Sequence, residues 1–174
     1  GRRQRQMCIR DRYYNDTLFT ITQETLEPRY IFQMGKYSLP IECRFEYLNG
    51  DGKRFQEVAA PYIQYNTIET DSYIFMPYSN WAGEKAQEKQ MAIYDKKAKN
   101  CFKVSTGHIK NDLTPGLPLR PITALDSHTL LYVWEAPELL EKAEKTPSIL
   151  QIEPLKGLKE DDNPVMMIVY LKQP

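Results

Sequence analysis

Ile68-Glu-Thr-Asp-Ser-Tyr-Ile-Phe75 and Thr123-Ala-Leu-Asp-Ser-His-Thr-Leu130 share an Asp-Ser pair at one fixed offset, Asp71 to Asp126 and Ser72 to Ser127. In each copy the pair stands between an apolar segment and an apolar-aromatic one. That is the composition of two short strands joined by a turn whose aspartate can accept hydrogen bonds from nearby backbone. An Asp-Thr pair lies at the same offset upstream of Asp71, at Asp16-Thr17, but its flanks suit a different turn of the unit and it carries no weight here.

Outward from these two turns the rhythm of strand, turn, strand continues. Leu18-Phe-Thr-Ile-Thr22 follows the turn Tyr14-Asn-Asp-Thr17, and Arg29-Tyr-Ile-Phe-Gln-Met34 lies between Pro28 and Gly35. An irregular stretch opens at Ser38-Leu-Pro40. Asn49-Gly-Asp-Gly-Lys53 reads as a tight turn, because Asn and Gly tolerate positive φ, and strands resume after it. Tyr62–Ile68 and Tyr73–Met76 flank Glu69-Thr-Asp-Ser72, while Met91–Tyr94 and Cys101–Val104 flank Asp95–Asn100; each pair is expected to form a hairpin. Pro137-Glu-Leu-Leu-Glu-Lys-Ala-Glu-Lys145 predicts a short helix, with proline near its start and strong helix formers behind. A second, at Ser148–Glu153, is limited by Pro154 and Gly157. Val165-Met-Met-Ile-Val-Tyr-Leu171 is apolar on both faces and predicts a strand covered on both sides.

The fold expected is therefore all-β and mainly antiparallel. A repeat of about 40 to 55 residues with some four short strands has the size of one β-propeller blade. The expectation from the repeat is a run of such blades, partial at each end. One complete blade would lie near 55–105, and a helical insertion at about 136–159 would sit in the last.

Composition is that of an ordinary soluble globular domain, with 174 residues, 41% hydrophobic and 26% charged. No window approaches the roughly 18 consecutive apolar residues of a membrane span. Formal net charge is zero, from 23 basic and 23 acidic side chains, which argues against a nucleic-acid partner.

The charge is unevenly placed, since Arg2, Arg3, Arg5, Arg10 and Arg12 fall in the first twelve residues. Such an arm could bind nucleic acid or acidic lipid. The string Gln6-Met-Cys-Ile-Arg-Asp-Arg12, however, resembles the translation of a short-read sequencing adapter, so residues 1–12 are set outside the fold and expected to be disordered and unpaired. Removing their five arginines and one aspartate from 23 and 23 leaves 18 basic against 22 acidic residues, about −4. Cys43 and Cys101 remain, too few and too far apart for a zinc site. Two buried thiols are the favoured reading and one disulfide the other.

Chemistry-bearing patterns are sparse. His108 and His128 are the two histidines and neither has metal-ligand spacing. Glu160-Asp161-Asp162 lacks the alternation and glycine of a calcium loop and reads as a solvated turn. Asn49-Gly-Asp-Gly52 is followed at once by Lys53 and Arg54. Neither a nucleophile elbow nor a phosphate loop occurs. No catalytic residue, cofactor or metal is assigned. The aromatic stretch Tyr62, Tyr65, Tyr73, Tyr78, Trp81 and Tyr94 stands out, since such rings stack on sugars or peptides. Packing between sheets uses the same residues and is favoured. Tyr62, Tyr65, Tyr78 and Trp81 are carried forward as a ligand or partner surface.

Tyr14–Ile21, Leu26–Phe32 with Gly35–Pro40, Ile93–Lys97, Asn111-Asp112 with Pro115–Pro118, and Leu158–Val165 together resemble the C-terminal part of a six-bladed β-propeller family abundant in Bacteroidota and distantly similar to NHL-repeat propellers. The resemblance implies that 13–174 is a fragment of a chain about twice this length, a partial six-bladed propeller holding about two and a half of the six blades, with a periplasmic or surface location. It also implies a lipid anchor or secretory signal on an upstream segment, and a non-catalytic scaffold that binds a protein, peptide or glycan. The competing expectation is a hydrolase or lactonase-like enzyme whose central metal is held mostly by residues outside this sequence.

Overall fold

The computed structural model describes residues 7–9, 16–48, 50, 52–81, 90–111, 114 and 116–172. Within them the chain is mainly antiparallel β, in three sheets with helices between, and it divides into two compact units. The first comprises residues 1–64 and 79–88, the second 65–78 and 89–174.

In the first unit, β1 (Met7–Ile9), β2 (Thr17–Ile21) and β3 (Leu26–Ile31) form a sheet in that order. Leu18 and Thr20 alternate inward from β2. Pro28 is tolerated because β3 is an edge strand among the described residues, where a missing N–H costs no ladder bond on the open side. The sheet corrects one expectation: Met7, Cys8 and Ile9 pair with Ile21, Thr20 and Phe19, so the first twelve residues are not a wholly unpaired arm.

Two helices follow, α1 (Cys43–Leu48) and α2 (Gly52–Ala59), one on each side of the expected turn, in a stretch for which the sequence had suggested no helix. Phe55 and Ala59 recur four apart on α2, so both reach one buried face. There they pack with Cys43, Leu39, Val58, Tyr62 and Trp81. Asn49 and Asp51 of the expected turn lie outside the described residues, and Gly50 between them adopts φ +78°.

The second sheet runs β4 (Ile63–Tyr65), β6 (Tyr73–Asn80), β7 (Gln90–Asp95), β8 (Asn100–Val104), with β5 (Ile68–Glu69) also on β6. Both expected hairpins are present here. Ile68 opposes Phe75 across the Asp71-Ser72 turn, and Ile93 opposes Phe102 across the turn at 96–99. The third sheet is β11 (Val165–Tyr170), β10 (Thr129–Trp134), β9 (Thr123–Ala124). Leu130 and Val169 from it, with Leu171 just beyond β11, pack with Ile68, Phe75, Met91 and Ile93 of the second sheet, forming one core of this unit.

The other core of the unit lies under α3 (Ala136–Lys145), the helix expected from Pro137 onward. Ala136, Leu139 and Ala143 form its buried stripe at helical spacing. Leu139 and Ala143 meet Trp134, Leu117, Ile149 and Leu155, the last two carried on 3₁₀ turns at Pro147–Gln151 and Glu153–Leu155. Tyr132 stacks edge-on against Trp134 at 4.8 Å.

None of the three sheets is closed or propeller-like among the described residues. The β layers differ from expectation at one strand. Val165–Leu171 is not covered on both sides: Met166, Ile168 and Tyr170 are 68%, 47% and 77% exposed, while Val165, Met167 and Val169 face the cores. Seven consecutive apolar residues hide the alternation that their positions impose.

Candidate functional site

Tyr62 and Trp81, two of the aromatic residues singled out by sequence, meet in the first unit. The Trp81 backbone N–H donates to the Tyr62 carbonyl at 3.2 Å, and the indole stands edge-on to Phe55 with ring centres 5.3 Å apart. Both side chains are half-buried against the α2 core. Beside them the Gln64 amide donates to the Ser79 hydroxyl and the Asn80 carbonyl, at 3.2 and 3.0 Å. Tyr65 and Tyr78 belong to the second unit, on β4 and β6, and are also half-buried. Packing anchors Tyr62 and Trp81 in this core while neither residue is fully buried, the setting in which an aromatic side chain can take a ligand.

The repeated Asp-Ser turns form a polar cluster in the second unit. Asp71 N–H donates to the Ser127 carbonyl at 2.9 Å, and His128 Nε2 lies 3.6 Å from Asp71 Oδ2. Asp126 accepts from the His128 N–H at 2.7 Å and the Thr129 hydroxyl at 2.9 Å. These bonds hold its carboxyl below the usual carboxylate range, the His128 N–H being the largest cause. In the other turn the buried Thr70 hydroxyl accepts from the Tyr73 N–H at 3.1 Å.

A third turn, between β7 and β8, closes on the same place. Lys96 Nζ donates to Glu69 Oε1 and to the Thr70 carbonyl, both at 2.5 Å, and its own N–H donates to the Ser72 carbonyl. Sequence reasoning passed over Lys96 and Glu69. Nothing in their spacing signals that two positions so far apart in the chain meet. The cluster has the chemistry of a clamp, since its donors and acceptors are consumed in fixing turns.

The remaining residues fall as follows. Asp162 Oδ2 accepts from the Lys159 N–H at 2.7 Å in an exposed turn, as the solvated reading of Glu160-Asp161-Asp162 expects. His108 is half-buried and its carbonyl accepts from the Thr106 hydroxyl. Cys43 is buried and Cys101 exposed, and both are free thiols, so the buried reading holds for Cys43 alone. Burial pushes the Cys43 thiol up, with Glu42 adding to the effect. Among the described residues no three His, Cys, Asp or Glu side chains gather as a metal site, and no helix is long and apolar enough to cross a membrane.

A crystal structure of a "Putative exported protein" from Bacteroides fragilis is similar over 91% of this chain, with a TM-score of 0.65 at 16% identity. At that identity the likeness is one of fold. The chain spans 46% of that structure's length. No curated protein matches.

The resemblance to a propeller family drawn from short motifs is corrected by the family comparison. The matched model covers residues 4–170, starting inside the stretch attributed to an adapter, and nothing in the match points to a propeller-family fragment. Those motifs were degenerate turn and strand-end sequences, which many antiparallel folds share. By that match, the chain belongs to the family described as Domain of unknown function (DUF4934).

Proposed function

We propose that this protein is a non-catalytic binding or scaffold protein of the bacterial cell envelope, taking a peptide, glycan or protein partner on its aromatic surfaces. The observation that carries the reading is the setting of Tyr62 and Trp81, packed on the α2 core yet only half-buried. Tyr65 and Tyr78 offer a second pair in the other unit. The turn cluster adds support of another kind, because its polar groups are engaged in holding turns together. For location, the support is the similar Bacteroides fragilis chain described as exported. The finer part of the expected fold, sheets set as about two and a half blades of a partial propeller, belongs to this reading. It rests on the matched hairpins at Asp71 and Asp126.

The test is titration of the chain with soluble peptidoglycan fragments, envelope polysaccharides and an unstructured peptide library, read by tryptophan fluorescence and calorimetry. Binding is expected to fall about tenfold or more in Trp81→Ala or Tyr78→Ala while the fold is kept. Binding unchanged in both variants overturns the aromatic-surface reading. A stoichiometric metal with hydrolysis abolished by a chelator overturns the non-catalytic one.

A further inference from the structure

β11 is an edge strand: it pairs with β10 on one side and has no strand partner on the other among the described residues. The Leu171 N–H donates to the His128 carbonyl at 2.8 Å, so residues of that parity in β11 spend their backbone groups on β10. Met166, Ile168 and Tyr170 have the opposite parity. Their N–H and C=O groups point to the open edge, and their side chains stand on the exposed face beside Leu131 and Val133, opposite which Ile168 and Met166 lie. Natural edges are blunted by charge, proline or a bulge. Val165–Tyr170 carries none of these: it has no charged residue, its proline neighbour Pro164 lies outside the strand, and its register with β10 is unbroken.

We propose that this edge is an association surface for a second copy of the chain, the two β11 strands pairing antiparallel about a two-fold axis at Ile168. The self-complementarity is specific. With Ile168 opposite Ile168 of the other copy, Met166 falls opposite Tyr170, a sulfur-aromatic pair, and every outward N–H of the three residues finds a carbonyl. The charges flanking the strand agree. Glu160, Asp161 and Asp162 are exposed just before β11 and Lys172 just after it, so antiparallel pairing brings each lysine toward the other copy's acidic turn. Parallel pairing would stack like on like. A foreign strand would need the same unusual combination of a charge-free core, acidic start and basic end. A second copy supplies it by symmetry.

The experiment is sedimentation equilibrium of the intact chain over a range of concentrations, at low and high salt, on wild type, Ile168→Pro and Lys172→Glu. A monomer–dimer equilibrium is expected. Ile168→Pro removes an outward N–H without touching a β10 bond and should weaken the dimer by about a hundredfold or to nothing. Lys172→Glu should weaken it about five- to tenfold, an effect lost in high salt. If Ile168→Pro does not fold, as judged by circular dichroism, Lys172→Glu decides alone. A wild-type monomer at all concentrations, open-ended polymers, or a dimer indifferent to these substitutions overturns the proposal.

Discussion

Replacing Lys96 by methionine should be among the most damaging single changes outside the two cores of the second unit. Methionine keeps much of the side-chain stem, so what is lost is the ammonium group held at 2.5 Å from both Glu69 Oε1 and the Thr70 carbonyl. Breaking a fully buried ion pair costs about 3–5 kcal/mol, because the remaining charge stays desolvated. Here the two side chains keep 17% and 15% of their surface, which lets water relieve part of that cost. About 2–3 kcal/mol is therefore expected, or about 5–10 °C in Tm for a domain of this size. The chain has two tryptophans, and Trp81→Phe leaves the buried Trp134 as sole reporter of the second unit. Urea unfolding followed at Trp134 then reads the relevant transition. Lys96→Met/Glu69→Leu should recover at least half of the loss, since an apolar pair of similar volume leaves no stranded charge. The single-variant loss should also survive high salt, which screens exposed pairs far more than buried ones. A loss below about 0.5 kcal/mol, one that salt abolishes, or a double variant no better than the single would refute the clamp.

Three further outcomes follow from other parts of the molecule. Asp126 has its folded pKa lowered from 3.8, so its stabilising contribution is present above that value and lost as pH falls through the lower folded one; the stability gap between wild type and Asp126→Asn should shrink in acid, and a gap constant down to the acid limit contradicts this. Gly116→Ala should cost about 1–3 kcal/mol in thermal or urea unfolding, because Gly116 sits at φ +88° and a Cβ there would meet Thr146 Cγ2 at 3.0 Å. In native protein, iodoacetamide followed by peptide mapping should modify Cys101 readily and Cys43 only on unfolding, burial both shielding the latter and pushing its thiol up. Equal labelling rates would contradict the placement of Cys43 in the α2 core.

What the sequence disclosed was local. The hairpin at 91–104, the Asp-Ser turns and the helix behind Pro137 are written in residues within a few positions of one another, and turn chemistry and helix propensity read them correctly. Helix α2 was also legible in principle, through Phe55 and Ala59 four apart, but the run is only eight residues and follows a turn of the kind that joins strands. Which side of Val165–Leu171 is covered could not be read, because seven apolar residues carry no contrast and only the partners of β11 supply it. The Lys96–Glu69 clamp is a long-range contact and leaves no mark in either flank. Family identity failed for the opposite reason. Motifs of two to eight residues were asked to carry a whole-chain inference, and turns and strand ends of that size recur across antiparallel folds.

The bond from Asp71 N–H to the Ser127 carbonyl makes two loops, far apart in the chain, into one object. A residue inserted into either turn shifts the atom the other turn holds, so their lengths are free to change only together. Loops are ordinarily where proteins accept insertions and engineers place tags. In this chain that tolerance should be absent at 70–73 and 125–129, and present in the exposed turn at Lys159–Asn163, where Asp162 bonds only to its own neighbour Lys159 among the described contacts.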